Sequence, residues 1–253
     1  MAGFSDQTTG LTDVQVVPHP DVMVVFDIGG GLVVDDASGW QQRGSMVVGL
    51  APLGTAGRGP QDFECLQVRF SPVMAHAVLG AGAELGGAVV ALEDLWGREA
   101  VRIQEQLRAA ASWEDRFAIA EAALARRETG RAVDPEVGFA WGQLVASRGR
   151  VRVDRLAAEA GWSRKRLWSR FQSQIGLTPK RAARLVRFDH AARLLAAGHS
   201  AAMVAADSGY ADQPHLHRDV VEFAGMTPAA MAVTPFLAVD DVAWPDAPSA
   251  SRA

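Results

Sequence analysis

Disulfide chemistry, long apolar runs and metal-ligand clusters are all missing from this sequence of 253 residues, and each absence removes a class of function. A single cysteine, Cys65, excludes an internal disulfide, so the fold must hold without staples and a reducing compartment is expected. Nothing basic adjoins Cys65 in sequence, which points to a buried, inert thiol rather than a redox sensor. No Lys or Arg precedes Arg43, leaving no basic stretch for a secretory leader. The longest apolar stretch, Phe70 to Ala83, contains Pro72, His76 and two glycines and falls short of the roughly 18 residues a spanning helix needs. A cytoplasmic protein that stays out of membranes is expected. Residues 1–149 hold only His19 and His76, with no His-x-His pair, no Ser/His/Asp order and no paired acid/base carboxylates. The sequence therefore predicts neither an enzyme nor a cofactor.

What is present fits an ordinary globular chain, 49% hydrophobic and 21% charged. The formal net charge of −4 and pI near 5.9 argue, taken whole, against a polyanionic partner. The distribution reverses that inference. Residues 1–149 carry 11 Lys and Arg against 19 Asp and Glu, residues 150–235 carry 13 against 7, and residues 236–253 carry 1 against 3. An acidic first part and a basic second part are expected when one domain alone meets nucleic acid.

The acidic part begins with short β-branched runs at 14–17, 22–26, 32–34, 45–50 and 65–70, separated by Pro, Gly and Asp clusters. These predict strands of a small antiparallel barrel or sandwich, with a cupin-like shape as one candidate. Gly29-Gly30-Gly31 follows a strand without the spacing or the helix of a phosphate-binding loop, and reads as a hairpin connection. Beyond Gly87 the period becomes helical, predicting helices over about 93–110, 113–128 and 136–147, with Ser112 as an N-cap and Asp115 at the capping-box position. Trp40, Trp96, Trp113 and Trp141 are expected to pack in the core. The fold class is α+β, with four divisions: a β-rich sensor or regulatory domain (1–92), a helical linker or dimerisation region (93–149), an all-α domain (150–235) and a flexible tail (236–253).

The basic part contains an internal repeat. Ala157 and Gly161 recur 48 residues later as Ala205 and Gly209, and Leu167, Phe171, Gly176, Thr178 and Pro179 recur 49 residues later as Leu216, Val220, Gly225, Thr227 and Pro228. Each copy has the grammar of a helix-turn-helix: a small residue for close approach, a glycine for the turn, then an N-cap, Ser163 or Asp212, opening a second helix. Between the copies, Thr178 to Ala197 reads as one long helix with Pro179 at its first position, bearing Lys180, Arg181, Arg184 and Arg187 on an outer stripe.

Two such units joined by a long helix, with Gly225-Met226-Thr227-Pro228 closing the second, resemble the DNA-binding domain of the AraC/XylS family of bacterial transcription regulators. Leu156, Ala157, Ala160, Gly161, Ser163, Leu167, Phe171, Gly176, Thr178 and Pro179 carry the resemblance in the first unit. In the second it is carried by Val204, Ala205, Gly209, Tyr210, Leu216, Arg218, Gly225, Thr227 and Pro228. The sequence departs from the family at Val220, where a phenylalanine is usual. A second departure is the acidity of the second helix, with Asp212, Asp219 and Glu222 against Arg218 alone.

The resemblance implies a regulator, activation among its modes, that lays two recognition helices in successive major-groove faces of double-stranded DNA about 34 Å apart. RNA polymerase, a small-molecule effector and a second copy of the chain are the further partners it implies. The expected DNA-binding residues are Ser163, Arg164, Lys165, Arg166, Trp168, Ser169 and Arg170 in the first unit. Lys180 and Arg181 follow on the joining helix, and Asp212, Gln213, Pro214, His215, His217 and Arg218 complete the set in the second unit. His215 and His217 lie roughly 200° apart on a helix and cannot share a metal ion. The competing reading is a small-molecule-binding or enzymatic N-terminal domain with the helical half as accessory.

Overall fold

A computed structural model describes residues 1–5, 12–15, 17–35, 41–50, 56–59, 64–80, 85–127 and 132–233. The predicted tail lies outside them. Among the described residues there are nine strands, eight of them ahead of the first helix: β1 (Ala2–Ser5), β2 (Thr12–Gln15), β3 (Val22–Asp27), β4 (Val33–Asp35), β5 (Gln41–Arg43), β6 (Met46–Val48), β7 (Ala56–Gly59), β8 (Glu64–Phe70) and, after that helix, β9 (Val89–Ala91). They form two antiparallel sheets, ordered β1-β8-β3-β6-β9 and β2-β7-β4-β5.

Strand β3 is central because every residue of Val-Met-Val-Val-Phe-Asp is buried. Side chains alternate across a strand. Val22, Val24 and Phe26 accordingly join the main core, while Met23 and Val25 join a smaller cluster with Val34, Met46, Val48 and Cys65. That smaller cluster draws on both sheets, so one face of the larger sheet packs on the second sheet and the other on helices.

Gly29 to Gly31 do not connect a hairpin, because β3 and β4 belong to different sheets. The Asp27 carboxylate accepts the N–H groups of Gly30 and Gly31 at 3.0 and 3.1 Å and turns the chain toward the second sheet. The predicted helix over 93–110 is also divided. It comprises α2 (Leu92–Trp96) and α3 (Arg98–Ala109), separated at Gly97, whose φ of 57° ends the first segment. Before them lies α1 (Pro72–Leu79), opened by Ser71, whose hydroxyl accepts the Met74 N–H. Helices α4 (Trp113–Arg127) and α5 (Pro135–Ala146) follow. The Ser112 hydroxyl both accepts the Asp115 N–H and donates to its carboxylate, as the capping position predicts.

The C-terminal part is entirely helical: α6 (Val153–Glu159), α7 (Arg164–Ile175), α8 (Pro179–Ala196), α9 (Ala201–Asp207), α10 (Gln213–Ala224) and α11 (Pro228–Ala232). The sequence repeat is realised as a structural one. Gly161 and Gly209 take φ of 66° and 73° in the two turns. Ser163 and Asp212 then cap α7 and α10, and Thr178 and Thr227 cap α8 and α11. Leu167, Phe171, Leu216 and Val220 all face inward, fully buried.

One continuous core runs through both halves, from Val17 to Met231. Trp141 of α5 meets Phe171 of α7 with ring centroids 6.4 Å apart, and residues 147–149 form a tight turn onto α8. Trp96 is buried and Trp113 half-buried, whereas Trp40 lies outside the described residues.

Candidate nucleic-acid interface

The inward turn of Leu167 and Phe171 decides what α7 shows to solvent. Ser163, Arg164, Lys165, Arg166, Trp168, Ser169 and Arg170 are all exposed, and Trp168 keeps 43% of its surface in water despite its size. A large aromatic left outside beside four cations is an uncommon use of a tryptophan. The cations differ in what holds them. Arg164 forms an ion pair through Nε with Asp154 on α6 at 2.8 Å, which leaves its two terminal nitrogens for another acceptor. Arg166 stacks 4.4 Å over the Trp162 ring. Arg170 is bound to both oxygens of Asp134 at 2.7 and 2.9 Å, and those hydrogen bonds hold the Asp134 carboxyl below the ordinary carboxylate range. Among the described residues, Lys165 makes no ion pair.

On α10, Gln213, Pro214, His217 and Arg218 are exposed, and Asp212 is spent on the cap, accepting the His215 N–H at 2.7 Å. His215 is half-buried, edge-on to Tyr210 at 5.2 Å. Arg218 donates to the Pro214 carbonyl at 3.3 Å.

The acidity expected on α10 is turned inward. Asp219 is 2% exposed and accepts two hydrogen bonds from Arg184 of α8, which also reaches Glu222. Arg184 is thus withdrawn from the stripe predicted along α8, and so is Arg187, which donates to the Gly149 carbonyl at 3.1 Å and lies over the Tyr210 ring. A burial requirement on α10 outranked the exposed periodicity of α8. Lys180 remains exposed, and Arg181 is half-buried, 3.5 Å from Glu222.

Sequence reading passed over Asp154, Trp162, Asp134 and Gln174, the residues that orient the cations of α7. Trp162 adjoins the Ser163 cap and was open to inspection; the others choose their partners only once α5, α6 and α7 pack. Elsewhere, burial pushes the Cys65 thiol up to about 12, matching the inert reading. Among the described residues no three metal-capable side chains converge, and no helix is long and apolar enough to cross a membrane.

Comparison with known proteins agrees with this geometry. A family model described as a helix-turn-helix domain matches residues 156–232. No curated protein matches the chain. Among solved structures, ToxT from Vibrio cholerae superposes with a TM-score of 0.51 at 11% identity, over 91% of this chain and 96% of that one. A second ToxT structure, from Vibrio cholerae O395, gives 0.50 at 12% identity over 91% and 95%. A third, of the same protein bound to (E)-4-(8-methylnaphthalen-1-yl)but-3-enoic acid, gives 0.50 at 10% identity over 93% and 97%. Residues 156–232 thus match a helix-turn-helix domain, and the likeness to the ToxT structures is one of fold across both parts of the chain.

Proposed function

We propose that this chain is a sequence-specific DNA-binding transcription regulator in which α7 and α10 enter successive major-groove faces, with α8 as the spacer. The observation that carries this reading is the duplicated unit. Two N-capped helices stand after matching glycine turns, and the first presents Arg164, Lys165, Trp168 and Ser169 outward while its apolar side is buried. Arginine and lysine read guanine edges and phosphates, and an arginine steadied through Nε still offers a two-donor fork to a base. No catalytic role is assigned to the chain, and its place of action is where DNA is, the cytoplasm.

The test is selection of duplexes from a random pool by the full chain, followed by affinity measurement at fixed salt. Arg164→Ala and Lys165→Ala are each expected to weaken the enriched duplex roughly ten- to a hundredfold. A chain that enriches no sequence, or variants that bind like the wild type, would overturn the reading.

For the N-terminal half, the neighbour that binds a substituted butenoic acid supports an acidic, largely apolar small molecule as the effector class. RNA polymerase and a second copy of the chain complete the proposed partners, with the helices of residues 93–149 as the dimerisation region.

A further inference from the structure

Helix α7 is gripped at its C-terminal half by the part of the chain that precedes it. Arg170 and Gln174 lie one turn apart on α7, and both engage Asp134. The Arg170 guanidinium donates to the two carboxylate oxygens, while the Gln174 side-chain oxygen accepts the Asp134 backbone N–H at 2.8 Å. Asp134 stands at the N-cap position of α5, where aspartate normally accepts a backbone N–H. Its carboxylate makes no cap hydrogen bond and serves Arg170 instead. At the end of α7 the contact becomes backbone on backbone: a Cβ placed on Gly86 would fall 1.9 Å from the Gly176 carbonyl oxygen. Helix α1 also packs on α7. These contacts hold the direction of α7, and the Arg170 guanidinium, although exposed, has two of its donors taken by a carboxylate.

We propose that Asp134 is a positioning residue for DNA reading: through Arg170 and Gln174 it sets the angle at which α7 presents Lys165, Trp168 and Ser169, and Arg170 itself stays off the phosphate backbone. This rests on the DNA-reading function proposed above. The reading helix is thereby tied to the N-terminal half by a contact that a change in that half can alter.

The test uses the full chain, duplexes enriched by the wild type, and affinity measured across a salt series. Each phosphate neutralised adds about 0.9 to the slope of log affinity against log salt. Arg170→Ala is expected to keep the wild-type slope while lowering the preference for enriched over random duplex roughly tenfold. Asp134→Ala is expected to steepen the slope by about 0.9, because the released guanidinium takes a phosphate, and the double variant to return it to the wild-type value. The charge-swapped pair D134R/R170D re-forms the bridge and restores the preference, which keeps the test decisive if a single variant folds poorly. A slope shallower by about 0.9 in Arg170→Ala would place Arg170 on the DNA and overturn the proposal, as would unchanged preference in every variant. A wild type that enriches nothing overturns the regulator reading itself, an outcome distinct from a wild type and variants that enrich one sequence alike.

Discussion

Asp189 shows how a single side chain can work against its own fold. It lies 8% exposed on α8, and burial pushes its carboxyl up to about 6, with Asp21 adding to the rise while Arg193 and Arg69 oppose it. An acid whose pKa is raised by folding costs stability wherever it is ionised in the fold. Above pH 6 the cost is fully present; between about 6 and the ordinary carboxylate value it is relieved. From 3.8 to about 6 it amounts to roughly 3 kcal/mol. Asp189→Asn is therefore expected to be more stable than the wild type at pH 7.5, with the difference in melting temperature vanishing near pH 4. His19 acts in the opposite sense, because burial and then Arg69 and Arg193 lower its pKa to about 3. Its neutral ring is fully compatible with the fold above pH 6.5, and the stability this gives is lost as the pH falls. The comparison of Asp189→Asn with the wild type cancels the histidine and isolates the carboxyl.

The pairing of α8 with α10 rests on Arg184 in the same way that α7 rests on Asp134. Removing one partner of a buried ion pair leaves the other charge stranded. Arg184→Ala is expected to lower the unfolding free energy by about 3 kcal/mol, read by chemical denaturation, because Asp219 loses both hydrogen bonds that Arg184 gives it. Why these partners escaped sequence reading is instructive. Thr178, Ser163 and the turn glycines act within three or four residues of themselves, so their roles are written in local order. Asp219 sits on α10 with Glu222 three positions on, and nothing local says that both turn toward a helix 35 residues earlier. The strands divide along the same line. The valine-rich run of β3 announced itself, whereas Gln41–Arg43 and Ala56–Gly59 carry no β-branched pattern and become strands through their partners, β4 for the first and both β2 and β4 for the second. Helix α1 had its signal in Ser71-Pro72, masked by the apolar stretch that surrounds it.

The continuity of the core governs what can be cut from the molecule. Leu144 and Trp141 of α5 and residues of α1 pack with α7 and α8 in one cluster, so a fragment of residues 150–235 would expose faces that the whole chain buries. That fragment is expected to melt about 10 °C or more below the full chain in a calorimetric scan, since each kcal/mol lost is worth several degrees. Equal melting temperatures would show the C-terminal part to be self-sufficient. The acidic N-terminal half and the basic helical half thus share a stability while differing in charge. The touch between Gly86 and Gly176 adds a mechanical constraint to this arrangement. Two bare backbones have no side chain to rotate, compress or exchange, so the spacing there is a hard stop. Motion of the N-terminal half against α7 can swing about that point as about a fulcrum, and a small displacement near it becomes a larger one at the far end of the helix, which carries Arg164 and Lys165.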